Sequence, residues 1–283
     1  MGKKCEICNN MMVRDPLAEA RLALDPEGKF KIFHCRNCGF RKLEPLPEKE
    51  YLEKIYADNY FEDCERGFSY ASQVEETQYA FRSTAAKFRK LLNRHAVVLD
   101  IGCATGEFID ELYNVGLEAK GIEYSEYGAE ICRSKGMDVF QGDMFQANYG
   151  QQRFDGIHMS HVLEHLADPN AVMEQLKKWI KPGGWIYIEV PLQFDGLLEK
   201  VQSYRQAPKQ FDVFSVHHCS FFSPISLRML IEKHGLEVDI ISTFNPDKRR
   251  GRKSTVRKAM LSVFLSLANL IGRGDIIGVW IKA

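Results

Sequence analysis

The 283-residue chain lacks any run of about 18 apolar residues, the least that could cross a bilayer as a helix. Its opening stretch, MGKKCEICNN, lacks the apolar core of a secretory signal. A cytoplasmic protein is therefore expected, with cysteines serving as thiols or metal ligands and not as disulfides. It also lacks an excess of either charge. Lys and Arg number 38, as do Asp and Glu, which counts against a dedicated nucleic-acid binder with a basic surface. It has no internal repeat and no low-complexity tract. Its Gly-rich turn, in VVLDIGCATGEF over 97–108, lacks the middle glycine of G-x-G-x-x-G, because Ala104 stands between Gly102 and Gly106. A pyrophosphate needs close backbone approach at that glycine, whereas a ligand without one tolerates alanine.

A hydrophobic content of 45% with 27% charged residues suits a globular protein with one large domain and a small one. Residues 1–47 stand apart. Cys5-x-x-Cys8 and Cys35-x-x-Cys38 form two knuckles that place four thiolates in tetrahedral reach of one Zn²⁺. The gap between the pairs exceeds the usual ribbon spacing, so a longer hairpin must fill it, with KFKIFHC as its returning strand. Gly39 suits the tight knuckle turn. Four equal ligands leave no open position, which predicts a structural site. Cys64, Cys103, Cys132 and Cys219 fall outside this pattern and read as packing or pocket residues.

Residues 48–94 read as a helical connector, amphipathic in VEETQYAFRSTAAKFRKLLNRH. From about residue 95 strands and helices alternate. AVVLDI, GLEAKGIEY, MDVFQGD, FDGIHMS and GGWIYIEV read as strands, and PNAVMEQLKKWI as a helix with Pro169 near its first turn. That alternation predicts an α/β fold with a parallel sheet covered on both faces. Residues 191–223 break the rhythm and read as a substrate-facing insertion. A helix closing at Gly235, a strand LEVDIIST, a basic stretch, an apolar segment and a last strand DIIGVWIKA follow.

Glu123 closes the second strand, where an acidic side chain can accept hydrogen bonds from ribose hydroxyls. Asp143 and Met144 close the third, a carboxylate and an apolar surface that suit an adenine. With VLDIGCATGEF, GIEYS, QGDMF, FDGIHMSHVLEHLADP and LKKWIKPGGWIYIEVP in this order, residues 95–283 resemble the class I S-adenosylmethionine-dependent methyltransferases. The resemblance implies a Rossmann-like, seven-stranded sheet. It also implies that Asp100, Gly102 and Gly106 shape the pocket for the methionine part of the cofactor. Glu123, with Tyr124 beside it, would hold the ribose. Asp143 and Met144 would bracket the adenine, and Ser160 and His161 would line the pocket near the sulfonium. Ala104 in place of the usual glycine is expected to narrow the turn. A four-cysteine ribbon, a connector and this core, in that order, resemble a bacterial group tied to sugar and polysaccharide biosynthesis. That likeness implies a small or carbohydrate acceptor, such as a nucleotide sugar or a lipid-linked saccharide.

HVLEH, residues 161–165, also matches H-x-x-E-H, the signature of a class of zinc peptidase. Its place after a strand of an α/β sheet speaks for the methyltransferase reading. There His161 faces the pocket, and Glu164 and His165 bond loops near the cofactor. FSVHHCSFFSP, residues 214–224, resembles the EH-x-x-FFSP-like segment of sugar methyltransferases, with His218 at the histidine position and His217 where the acid stands. Deprotonating a hydroxyl suits a histidine, so His218 is the expected general base and His161 the second candidate. The other reading makes both of them structural partners of the helix cap. The tail has two readings as well. DKRRGRKSTVRK and AMLSVFLSLANLI, over 248–271, form either a charged loop with a core helix or a peripheral contact with an anionic membrane surface. An RNA methyltransferase gripping nucleic acid through ribbon and tail is the rival function. Neutral charge counts against it, as does the absence of an Asn/Asp-Pro-Pro-Tyr-like motif after the fourth strand. A non-enzymatic binding module is the third reading, and Glu123 and Asp143 count against that.

Overall fold

Short strands gather around the cysteines at the N-terminus. In the computed structural model, which describes residues 3–19, 22–23, 28–48, 70–194, 214–215, 218–244 and 274–283, these are β1 (Lys3–Lys4), β2 (Met11–Arg14), β3 (Leu22–Ala23), β4 (Lys31–Cys35) and β5 (Arg41–Glu44). A one-turn helix, α1 (Pro16–Glu19), follows β2. β1, β2, β4 and β5 pair antiparallel in that order, so β4 is the returning strand expected from KFKIFHC.

Helix α2 (Tyr70–Leu91) fits the amphipathic pattern of the connector, whose residues 49–69 lie outside the described ones. It lays Phe88 against Trp280, with ring centroids 4.8 Å apart. Then come β6 (Val97–Ile101), α3 (Glu107–Asn114), β7 (Glu118–Glu123), α4 (Glu126–Ser134), β8 (Val139–Gln141), β9 (Phe154–Ser160), α5 (Pro169–Trp179) and β10 (Ile180–Pro191). After β11 (Phe214–Ser215) and β12 (Ser220–Phe221), α6 (Pro224–Lys233), β13 (Glu237–Phe244) and β14 (Ile276–Lys282) complete the chain. Seven strands form one sheet in the order β13-β14-β10-β9-β6-β7-β8. β8, β7, β6, β9 and β10 run parallel, and β6 is buried on both faces, as a central parallel strand must be. β14 runs antiparallel to both β10 and β13, so six of the seven strands share one direction and β14 alone is reversed within the expected parallel sheet. The chain leaves β6 for β7 on one side and returns to β9 on the other. This reversal opens a crevice at the strands' carboxyl ends.

Caps fix the helices that border this crevice. Asp168 accepts the N–H groups of Asn170 and Ala171 ahead of Pro169 at the start of α5. Ser223 and Ser226 form a reciprocal capping box on α6.

The small sheet is not closed on itself. β12, from the insertion, pairs antiparallel with β5, so Ser220 faces Lys42 and Phe221 faces Arg41. Phe40 packs on Phe222 with ring centroids 5.5 Å apart, and Ser223 Oγ donates to Cys38 O at 2.6 Å. The buried Lys42 ammonium donates to Glu6 Oε1 at 2.9 Å and to the carbonyl of Ala167 in the large domain. The ribbon and the large sheet thus share one apolar core.

Candidate active site

A cavity of about 840 Å³ occupies the crevice. One half is built from backbone. The turn after β6 takes positive φ at Gly102 (75°), Ala104 (49°) and Gly106 (90°). A Cβ on Gly102 would collide with the Val162 side chain, and one on Gly106 with Met137. Ala104 therefore occupies a left-handed position that glycine would hold without cost, and it lines the cavity. Gly128 lets helix α4 approach this turn, since a Cβ there would stand 2.9 Å from Ala104 O.

Glu123 is nearly buried at the end of β7. Its Oε2 accepts the Ala104 N–H and its Oε1 the Ser125 N–H, both at 2.8 Å. Burial pushes its pKa up, and the two N–H groups pull against that. Each oxygen keeps a further lone pair for a ligand hydroxyl. Tyr124 lines the same wall. Asp143 caps the short turn Met144–Gln146 by accepting the Phe145 N–H at 2.9 Å, Met144 is buried, and Phe145 faces the cavity. Asp100 is buried and accepts from His158 Nδ1 at 2.7 Å, and His158 stacks on Phe108 with centroids 3.7 Å apart. Sequence reasoning singled out neither His158 nor Phe145. Only the i,i+2 alternation of FDGIHMS, which turns His158 to the same face as Gly156 and Ser160, could have pointed to the first.

The other half is built from side chains. Ser160 Oγ donates to Glu189 Oε1 at 3.3 Å. His161 follows with φ 54°, its Nε2 3.4 Å from Glu189 Oε1 and its Nδ1 3.4 Å from Glu164 Oε1. Desolvation works against its charge, but the two carboxylates prevail and raise its pKa to about 10. Burial likewise opposes the charge of Glu164, yet His161, His165 and His218 bring its pKa down to about 2. His165 lines the cavity beside Leu166 and Ala167. His218 is not among the lining residues. It stands edge-on to His165, centroids 4.6 Å apart, and its Nδ1–H donates to Gln193 Oε1 at 2.9 Å. His217 lies outside the described residues. Leu46 and Pro47, just past β5, add apolar surface to the lining, as do Leu166 and Phe81, the latter packed on Phe108 and His158.

The four ribbon cysteines converge. Cys5 Sγ lies 3.7 Å from Cys38 Sγ, and Cys8 Sγ 3.4 Å from Cys35 Sγ. A tetrahedron with Zn–S bonds of about 2.3 Å has edges of about 3.8 Å, so the set fits Zn²⁺. The knuckles match one another. Asn9 and Gly39 both take left-handed φ, and each donates its N–H to the carbonyl of the first cysteine of its pair. The hydrogen bond between Cys5 and Cys38 lowers the Cys5 pKa and raises that of Cys38, so the pair favours one thiolate, the form of cysteine that ligates metal. Cys103, Cys132 and Cys219 are buried, and Cys64 lies outside the described residues, as does 248–271. No helix among the described residues is long and apolar enough to cross a membrane.

Residues 70–240 match a family model described as a methyltransferase domain. The ubiquinone biosynthesis O-methyltransferase of Thiobacillus denitrificans is 28% identical over 167 residues, 53% of this chain and 68% of that enzyme. The enzyme of the same name from Paraburkholderia phymatum is 30% identical over 114 residues, which span 38% of this chain and 47% of its own length. The likeness thus spans less than half of the second relative. In fold, the chain is similar to an S-adenosylmethionine-dependent methyltransferase from Archaeoglobus fulgidus, with a TM-score of 0.53 at 21% identity, covering 76% of this chain and 100% of that one. The crevice, the turn after β6 and the matched model lead to one conclusion: the chain belongs to the methyltransferase-domain family and is a methyltransferase of the class I, S-adenosylmethionine-dependent fold.

Proposed function

We propose that the protein methylates a hydroxyl of a small acceptor that presents an apolar face. The observation that carries this reading is the two-sided cavity. One side has hydrogen-bonding capacity suited to a nucleoside, at Glu123 and Asp143, with Met144 and Phe145 to flank a base. The other pairs imidazoles with an apolar wall. In this reading Asp100, Gly102, Gly106, Glu123, Tyr124, Asp143, Met144 and Ser160 hold the cofactor, the close turn after β6 admitting its methionine end. Bound there, S-adenosylmethionine supplies a methyl carbon already activated for in-line displacement. The chain's own task is to orient the acceptor and remove its proton.

Leu46, Pro47, Phe81 and Leu166 favour a flat or apolar acceptor over a bare saccharide, and the O-methyltransferase relatives agree with that preference. A nucleotide sugar or lipid-linked saccharide remains the rival suggested by the order of ribbon, connector and core. The ribbon, residues 1–47, would hold one Zn²⁺ on Cys5, Cys8, Cys35 and Cys38 as a structural ion. We retain 48–94 as connector and 95–283 as catalytic domain, with 191–223 facing the acceptor and lending β12 to the ribbon's sheet.

The test is calorimetry with S-adenosylhomocysteine and with NAD, then a mass-spectrometric methylation screen of phenols and catechols against nucleotide sugars. Binding of S-adenosylhomocysteine and a mass gain of one methyl on a phenolic oxygen are expected. Tighter binding of NAD, or methylation of the sugars alone, would overturn the cofactor or the acceptor reading respectively.

A further inference from the structure

The H-x-x-E-H segment is unused once the peptidase reading is set aside. It folds as a corner after β9. His161 takes its left-handed conformation there, and the turn Leu163–His165 follows at once. The corner gathers three imidazoles around one carboxylate. Glu164 is 1% exposed, and neither of its oxygens makes a hydrogen bond of good geometry. A buried carboxylate in that state is costly unless positive charge lies close by. Its Oε1 is 3.9 Å from His165 Nε2, and one nitrogen or oxygen each of Glu164, His165 and His218 lie within 4.8 Å of one another.

The three imidazoles are not equivalent. His161 lies between the acceptor-only oxygens of Glu164 and Glu189, which favour a proton on each of its nitrogens and so disfavour it as a base. His218 stands one layer back, tied to Gln193. Its neighbour Cys219 is clamped on both sides, donating its N–H to Glu164 O at 2.7 Å and accepting from Leu43 N at 3.0 Å. His165 is the ring that lies between this layer and the cavity, with its side chain 17% exposed.

We propose that His165 is the catalytic base, with Glu164 as its buried counter-ion and with His161 and His218 as positioning residues. This assignment rests on the hydroxyl-acceptor reading above and replaces His218 and His161 as candidate bases. In the step, the acceptor oxygen bonds to the methyl carbon as the C–S bond breaks, and that bond's electron pair returns to sulfur. The hydroxyl proton passes to His165, Glu164 balances the new imidazolium, and the proton leaves to water. Glu164 and His218 face His165 directly; His161 and, through it, Glu189 share the Glu164 carboxylate, and Lys42 on β5 bonds Ala167 O two residues along the chain.

The test uses the full chain, with S-adenosylhomocysteine affinity measured first. NMR of ¹⁵N-labelled histidines in that complex reads each ring's protonation, with signals assigned by His→Asn variants. At about pH 8 His161 should carry two protons and His165 one. Any phenol turned over in the methylation screen then serves as acceptor. His165→Asn should lower kcat by roughly 10²–10⁴-fold with cofactor affinity nearly intact. His218→Ala should cost less. Glu164→Gln should move the alkaline rise of the rate to lower pH, because the imidazolium loses its counter-ion. The proposal is overturned if His165→Asn keeps kcat within about threefold of wild type, or if His165 is doubly protonated at about pH 8 in the complex. If S-adenosylhomocysteine binds and no phenol is methylated, the hydroxyl-acceptor reading fails by itself, and the NMR result still decides the state of His165.

Discussion

The two corners that frame the cavity are alike in backbone and opposite in chemistry. After β6 the chain turns through a left-handed Ala104, and after β9 through a left-handed His161. At the first corner the buried acid is satisfied, since Glu123 accepts two N–H groups. At the second it is not, and Glu164 relies on the charge of His161, with His165 close beside it. A satisfied acid makes a rigid cradle whose ligand can come and go. An acid balanced only by imidazoles makes a place where a proton can move at low cost. On the proposed assignment, cofactor binding and proton transfer draw on different local physics, supplied by two similar turns.

The sharpest way to separate the halves is through the ribbon. Among the described residues it supplies Leu46 and Pro47 to the cavity lining and the Leu43 N–H that holds Cys219. Structural zinc contributes on the order of 10–16 kcal/mol in small domains. In Cys35→Ser/Cys38→Ser, metal analysis should find the zinc lost. Hydrogen exchange should accelerate over both 31–44 and 218–223, while S-adenosylhomocysteine still binds. Loss of cofactor affinity in step with zinc would show that the halves are one unit.

Glu123→Ala addresses the cradle alone. Removing hydrogen bonds to a charged group costs about 1.5–3 kcal/mol, so cofactor affinity in calorimetry should fall by roughly 10–150-fold, with ribbon protection unchanged.

The proton-bearing corner should show itself in the pH dependence of stability. The pKa of His161 is raised from 6.5 to about 10, so its contribution is full below pH 6.5 and is lost as pH rises through 10. Glu164 is lowered from 4.5 to about 2, so its contribution is present above pH 4.5 and is lost as pH falls through 2. His161 is half exposed to the cavity, which screens its share. Thermal melts at constant ionic strength should give a Tm that declines from near neutral toward pH 10 in the wild type, with a shallower slope in His161→Gln. An identical slope would remove the ion-pair account of that corner.

Ser223→Ala should have the smallest effect. It removes an N-cap and the bond to Cys38 O, for about 1 kcal/mol in denaturant unfolding.

What the sequence made legible follows the same division. The cradle could be read because its parts are local: a strand, a Gly-rich turn and an acid at the end of the next strand. The four cysteines could be read for the same reason. The acceptor half was legible only in Ser160 and the HVLEH segment, because Glu189 meets His161, and Gln193 meets His218, only when β9, β10 and the insertion come together. His218 stood out by its segment, but its distance from the cavity depends on β12, a strand of two residues that carries no periodic signal. The antiparallel direction of β14 was hidden too, because a buried strand inserted between β10 and β13 has the same apolar pattern in either direction.

The pairing of β12 with β5 also bears on how the protein is made. Lys42 and Ser220 stand 178 positions apart. On a ribosome adding roughly 5–20 residues per second, the N-terminal module waits about 10–40 s for its last strand. Through that interval the β5 edge stays open, with unmet N–H and C=O groups and the apolar face of Phe40 beside it. Early metal capture by the cysteines would hold the nascent module in register until the insertion arrives. Yield of properly folded chain should therefore depend on zinc supply during synthesis more than after it.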